Sequence, residues 1–286
     1  MKGIILAAGK GTRLYPLTDI MSKQLFPVYD KPMIYYPLST LMLLGITEIL
    51  IITTQKDKSI FHSLLGDGSE IGVKLEYKVQ EKSNGIADAF IIGEQFIDKS
   101  SVTLILGDNL FYGYDYINSL KNKMNNFIGA IIFGYWVKNP SAFGVVEFDN
   151  IKRVISLQEK PNNPKSNYAI PGLYIYDNQV INFSKTLKPS ERGELEITDL
   201  NNLYLKEGML HVELLDKRVT WLDTGTQKSL IEAGKFIETI ESKKGIKVGC
   251  IEEVAYQLKL INRIQLSVII NNMPKSDYRD YLDSLI

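Results

Sequence analysis

Cysteine and histidine are nearly absent: Cys250 is the single cysteine in 286 residues, and His62 and His211 are the two histidines. One thiol cannot close an internal disulfide, and one thiol with two distant imidazoles cannot build a structural zinc site. Cys250 reads instead as a small, fairly apolar side chain near a helix start. An excess of either charge is also missing, since 33 basic and 33 acidic residues give a formal net charge of zero. Such a chain has no global field for drawing in nucleic acid or an anionic membrane, although local basic pockets remain open. Nowhere do about 18 apolar residues run together, so no membrane span is expected. The apolar opening around Ile4-Ile5-Leu6 is too short for a signal-peptide core and lacks a cleavage context. A cytoplasmic protein is expected.

What is present is an ordinary globular composition, 45% hydrophobic and 23% charged. The length suffices for one large α/β domain or two intimate ones. Apolar, β-branched runs at Gly3–Leu6, Ile49–Thr53, Lys74–Val79 and Val102–Leu106 predict strands. Met33–Leu44, Ser59–Leu65 and Ile86–Phe96 between them predict helices. This alternation predicts a Rossmann-like, mostly parallel mixed sheet flanked by helices, with ligands bound beyond the carboxyl ends of the strands. After Tyr135 the texture changes to closely spaced strands at Gly144–Phe148, Val154–Gln158 and Tyr168–Tyr176, a sheet extension that would add a second wall to the cleft. Helices are expected at Val180–Lys185 and Ile197–Lys206, then at Lys228–Ser242, Glu252–Leu258 and Ile264–Asn271. We therefore expect a main domain over 1–228, divided near 135, and a C-terminal helical appendage over 229–286. Ile264, Leu266, Ile269 and Ile270 should be buried, either against a second copy or against their own domain.

Three constellations carry chemistry. Leu6-Ala7-Ala8-Gly9-Lys10-Gly11-Thr12-Arg13-Leu14 follows the first strand. Gly9 and Gly11 let backbone N–H groups approach a triphosphate, and Arg13 adds a forked cation. Leu14 stands where the dinucleotide fingerprint needs a third glycine, and Gly11 follows Lys10 where the Walker pattern needs serine or threonine. Leu106-Gly107-Asp108-Asn109 puts a carboxylate at the end of an apolar strand, where a metal ligand would face the crevice. Asp223, in Trp221-Leu222-Asp223-Thr224-Gly225, is either its partner or a helix cap. Gln158-Glu159-Lys160-Pro161 ends a third strand. Adjacent strand residues point to opposite faces unless the strand stops, as Pro161 suggests.

The opening loop, continued by Ser22-Lys23-Gln24-Leu25 and Asp30-Lys31-Pro32-Met33, resembles the signature of the sugar-1-phosphate nucleotidylyltransferases. The resemblance covers almost the whole chain, including Lys165–Ala169 and Arg192–Asp199, and is weakest after about Ile251. It implies that Gly9, Gly11, Thr12, Arg13, Lys23 and Gln24 wrap the nucleotide phosphates, with Arg13 and Lys23 neutralising the leaving pyrophosphate. Asp108 and Asp223 would hold Mg²⁺. Gly144 would lie against the sugar, Glu159 would accept from its hydroxyls, and Lys160 would hold its phosphate; Tyr174 either faces that pocket or belongs to the core. Gln80 and Gly85 would read the base, a glutamine amide being able to pair with a pyrimidine imide edge. Where the family usually has leucine and glutamine, this chain has Ile86 and Asp88.

Longer uridylyl and adenylyl relatives carry insertions that this chain lacks, so the thymidylyl branch fits best. The expected partners are dTTP and glucose 1-phosphate, giving dTDP-glucose for dTDP-rhamnose or other deoxysugars, in a homotetramer with feedback by a dTDP-sugar. Nucleic acid and membrane are not expected as partners. UTP or other sugar phosphates remain open as substrates. A nicotinamide-dependent oxidoreductase and a silent regulatory subunit of the same fold are the readings from other classes.

Overall fold

The structure is a computed structural model that describes residues 1–113, 115–124 and 127–286. Lys2–Ala7, Glu48–Thr53, Lys74–Val79 and Val102–Leu106 form as strands and lie parallel, with Lys2–Ala7 between Val102–Leu106 and Glu48–Thr53. Ile4, Ile5, Leu6 and Ala7 are all buried, because helices cover both faces and no side of this strand meets water. Ile5, Ile49 and Ile51 pack with Leu38 and Phe61 on one face, while Ile4, Leu50 and Ile52 pack with Phe90 and Tyr176 on the other. Leu6 is in register with Leu106, and the Gly107 N–H donates to Leu6 O at 2.9 Å. Two neighbouring strands thus deliver the glycine-rich loop and Asp108 to one crevice.

The sheet continues in antiparallel fashion. Leu173–Tyr176 pairs with Val102–Leu106, and Ala130–Trp136, absent from the sequence-based expectation, pairs with Leu173–Tyr176. Tyr168–Ala169, Gly144–Phe148 and Val154–Glu159 extend the same sheet, and Leu210–Leu214 runs parallel to Ala130–Trp136. Among the described residues, ten strands form this mixed sheet.

Two predicted elements are broken where the chain changes partners. The strand predicted over Tyr168–Tyr176 divides at Ile170–Gly172: Ile170 N donates to Gly144 O, whereas Gly172 O accepts from Leu106 N. Gly172 is needed at that switch, since a Cβ there would stand 2.6 Å from Leu106 Cδ1. The helix predicted over Ile86–Phe96 becomes Asp88–Ile92 and Glu94–Ile97, with Gly93 at the joint pressed against the buried sheet.

The long helix Gln227–Lys244 starts with a capping box of Thr226 and Ser229, so Thr226 and not Asp223 is its cap. Cys250 is buried at the start of Ile251–Gln257. Leu266 and Ile270 on Arg263–Asn272, with Leu282 on Asp277–Asp283, are buried in the same core as Ile5 and Leu38. Ile269 packs there in part, whereas Ile264 is 76% exposed. Among the described residues no helix is long and apolar enough to cross a membrane.

Candidate active site

Beyond Leu106 the chain turns at Gly107-Asp108 directly into the strand Asn109–Tyr112, which pairs antiparallel with Thr220–Asp223. Asp223 stands opposite Asn109, and Thr224 donates to Asp108 O from both its N–H (3.1 Å) and its hydroxyl (2.8 Å). Two aspartates remote in sequence are thereby held side by side. Asn109 braces the turn: its Nδ2 donates to Asp108 Oδ1 at 3.0 Å, and its Oδ1 accepts from Trp221 Nε1 at 2.6 Å. Lys23, itself buried, is ion-paired with the Asp108 carboxylate.

The electrostatics of the pair are unequal. Burial pushes the Asp108 carboxyl up, but the charge and hydrogen bond of Lys23 prevail and hold it below the ordinary carboxylate value. Asp223 is raised, first by burial and then by the neighbouring charge of Asp108, with Lys23 and Arg13 offsetting this in part. Arg13 rests on Gly225, where a Cβ would lie 2.7 Å from Arg13 Nη2 and 3.1 Å from Asp223 Oδ1.

Gly9 and Gly11 differ in kind. Gly11 has a left-handed φ of 59°, and a Cβ would meet Thr18 Cγ2 at 2.8 Å, so the fold itself requires glycine. Around Gly9 there is open space within 4 Å, so nothing in the protein demands a bare backbone there. Thr12 and Arg13 are exposed on a short 3-10 turn anchored by buried Leu14. Gln24 is buried, accepts from the Ser22 hydroxyl and packs beneath Gly107, supporting the turn that carries Asp108.

A wider cleft of about 680 Å³ lies on the other side of the loop, lined by Ala8, Lys10, Thr54 and Gln80 among others. The Gln80 Nε2 donates both to Gly85 O (3.1 Å) and to Asp88 Oδ2 (2.9 Å). Both amide hydrogens are therefore spent inside the protein, and Oε1 is left as the acceptor. Gly85 is fixed by packing, with a φ of 100° and Leu195 O only 2.4 Å from where a Cβ would be.

Asp108, Asp223 and Arg13 also line a cavity of about 160 Å³ whose far wall carries Gly144, Glu159 and Lys160. The strand Val154–Glu159 stops at Glu159, and Lys160 has a left-handed φ of 41°. That reversal is how adjacent residues come to line one cavity. Glu159 Oε2 accepts from the Thr198 hydroxyl at 2.6 Å, and its Oε1 lies 3.4 Å from Lys160 Nζ and 3.5 Å from Arg192 Nη2. Gly144 pairs with Glu159, and a Cβ there would stand 3.6 Å from Thr198 Oγ1 and 3.7 Å from Glu159 Oε2. Tyr174 is both a core residue and part of the lining, and burial raises its hydroxyl pKa. Thr198, Asn201 and Trp221 also line this cavity, and Arg192 joins Glu159 at its edge. Sequence reading did not single these four out, although Arg192 and Thr198 lie within the segment Arg192–Asp199. Thr198 and Asn201 follow each other at helical spacing, a signal visible only once that helix is known to face the cleft.

The mixed sheet brings the glycine-rich loop and two aspartates to one crevice beyond the ends of its parallel strands, and the chain belongs to the nucleotidyl transferase family, whose pattern matches residues 2–240. Within it, the chain is similar to glucose-1-phosphate thymidylyltransferases. That of Neisseria gonorrhoeae is 52% identical over 286 residues, 100% of this chain and 99% of its own. That of Mycobacterium tuberculosis H37Rv is 53% identical over 100% of this chain and 99% of its own. The crystal structure of a Bacillus anthracis chain given the same name, in complex with a sucrose, superimposes with a TM-score of 0.77 at 44% identity, covering 82% of this chain and 94% of that one. A UDP-glucose pyrophosphorylase complexed with UDP-glucose shares the fold, with a TM-score of 0.74 at 24% identity over 84% of this chain and 98% of that one.

Proposed function

We propose that this enzyme transfers a thymidylyl group from dTTP to α-D-glucose 1-phosphate, giving dTDP-glucose and pyrophosphate. The observation that carries the reading is that Arg13, Asp108 and Asp223 line the same cavity as Gly144, Glu159 and Lys160. Groups suited to a triphosphate and groups suited to a sugar phosphate thus meet at one place. In the reaction an oxygen of the sugar phosphate forms a bond to the α-phosphorus while the bond to the departing pyrophosphate breaks. A phosphate dianion is already a nucleophile, so no side chain has to remove a proton. Catalysis reduces to positioning and charge neutralisation.

Arg13 and Lys23 neutralise the triphosphate, and Gly9 leaves room for it against the backbone. Gln80 presents Oε1 to the imide N–H of thymine, its amide hydrogens being held by Gly85 and Asp88. Lys160 holds the sugar phosphate, and Glu159, fixed by Thr198, accepts from sugar hydroxyls. Asp108 and Asp223 fit Mg²⁺: they are adjacent hard oxygen donors, and the Asp223 carboxyl is raised first by burial and then by the charge of Asp108, a repulsion that a divalent cation would relieve. When bound, the ion supplies Lewis-acid stabilisation of phosphate charge. A homotetramer is supported by Ile264 and Val268, exposed one turn apart on Arg263–Asn272, which form an apolar strip that a second copy would cover. Feedback by a dTDP-sugar would act through that assembly.

The test is pyrophosphate release with dTTP, UTP, dCTP, ATP or GTP against a panel of sugar 1-phosphates. Release should require both substrates and be fastest with dTTP and glucose 1-phosphate. Equal turnover with ATP, or no release with any pair, would overturn the reading.

A further inference from the structure

The cavity that holds Glu159 and Gly144 contains a hydrogen-bond donor that the described residues leave unused. Asn201 lies on the helix Ile197–Lys206, one turn beyond Thr198; it has no exposed surface and lines the cavity. Its Oδ1 accepts from the Tyr176 hydroxyl at 2.6 Å, a length that suits an O–H···O bond better than an N–H···O bond. Its Nδ2 has no hydrogen-bond partner among the described residues. Buried side-chain amides almost always find partners, so an orphan NH₂ in the wall of a ligand cavity calls for an acceptor from the ligand. The other buried orphans, Thr53 Oγ1 and Ser184 Oγ, do not line this cavity.

We propose that Asn201 is a specificity-determining residue that donates a hydrogen bond from Nδ2 to one hydroxyl of the hexose. The proposal rests on the sugar-1-phosphate reading above and deepens it. Glu159 can only accept, and its Oε2 is already engaged by Thr198. Asn201 Nδ2 can only donate. An acceptor and a donor lining one cavity together read a pattern of hydroxyls, which either alone could not. Tyr176, reaching from the strand Leu173–Tyr176, is the positioning residue that holds the Asn201 amide by its oxygen.

The experiment is steady-state pyrophosphate release with dTTP and either glucose 1-phosphate or each of its monodeoxy analogues. Wild type is compared with Asn201→Leu, of similar size, and Asn201→Asp, which keeps an acceptor for Tyr176. Expected for Asn201→Leu is roughly a tenfold rise in KM for glucose 1-phosphate, equivalent to about 1.4 kcal/mol, with KM for dTTP unchanged. For one monodeoxy analogue alone, the variant and wild type should have equal kcat/KM, because the partner hydroxyl is already gone. An unchanged KM, or an equal loss across all analogues, would overturn the proposal and leave Asn201 as a packing residue. No release by wild type with glucose 1-phosphate would instead sink the underlying reading. Should neither variant fold, a crystal structure of wild type with glucose 1-phosphate decides. Nδ2 within about 3.2 Å of a sugar hydroxyl supports the proposal, and Nδ2 facing only water or protein overturns it.

Discussion

Asp223 stands beside Asp108 because its strand partner is Asn109 and because Thr224 is hydrogen-bonded to the Asp108 carbonyl. Their carboxyls respond to that proximity in opposite directions, Asp108 falling under the influence of Lys23 and Asp223 rising under burial and the charge of Asp108. Asn keeps the shape of Asp and removes the charge, so Asp108→Asn and Asp223→Asn should fold. Each should lose about 10²-fold or more in kcat, as when a positioned charge near developing phosphate charge is removed. If both serve one Mg²⁺ ion, the double variant should cost much less than the two losses combined. Kinetics across a Mg²⁺ titration check this; strict additivity, or a normal Mg²⁺ dependence in either single variant, would separate the two residues.

Lys160 is half-exposed at the cavity edge, near Glu159 but reached from the end of a strand on the extension. Lys160→Met keeps most of the stem and removes the charge. Calorimetry should show weaker binding of glucose 1-phosphate by roughly tenfold, the scale of one charged hydrogen bond, with dTTP binding nearly unchanged. The reverse result would move Lys160 to the nucleotide side.

Asp88 orients Gln80 by taking one of its amide hydrogens. An acceptor facing the base suits the imide N–H of thymine and opposes the bare ring nitrogen of cytosine. Wild type should therefore prefer dTTP to dCTP by ten- to a hundredfold, the scale of an unpaired buried group at about 1–3 kcal/mol. Asp88→Ala leaves Gly85 O as the amide's one remaining anchor, and the preference should shrink about tenfold. A preference that survives intact in Asp88→Ala would mean that Gln80 does not read the base through Oε1.

Glu252 is buried near the start of the helix Ile251–Gln257; burial raises its pKa, and the hydrogen bond from Tyr278 lowers it in part. A folded pKa above the unfolded value means that the native state keeps the proton after the unfolded chain has lost it. Stability from this group is thus full below the ordinary glutamate range and falls as pH rises through the raised pKa. Glu252→Gln retains an acceptor for Tyr278 without the charge. Its Tm should exceed that of wild type at about pH 8, with the gap closing near pH 4. A gap of constant size across that range would show that the carboxyl does not titrate as described.

The sequence by itself determined the parallel half of the sheet, because strands buried on both faces must be written as unbroken apolar runs such as Ile4–Ala7. It also determined the loop Gly9–Arg13 and the aspartate at the end of Val102–Leu106, since a cleft at strand ends follows from that topology. Tertiary structure alone decided the rest. Asp223 reads locally as a cap or as a partner of Asp108, and only antiparallel pairing with Asn109–Tyr112 sets it beside Asp108. Glu159 and Lys160 needed the left-handed turn at Lys160 to line one cavity. Gly11 and Gly85 look alike in sequence to Gly9, yet packing demands them through Thr18 and Leu195, while open space surrounds Gly9. Asn201 carries no local signal at all, because a missing hydrogen-bond partner is a property of everything around a residue and of nothing beside it in the chain.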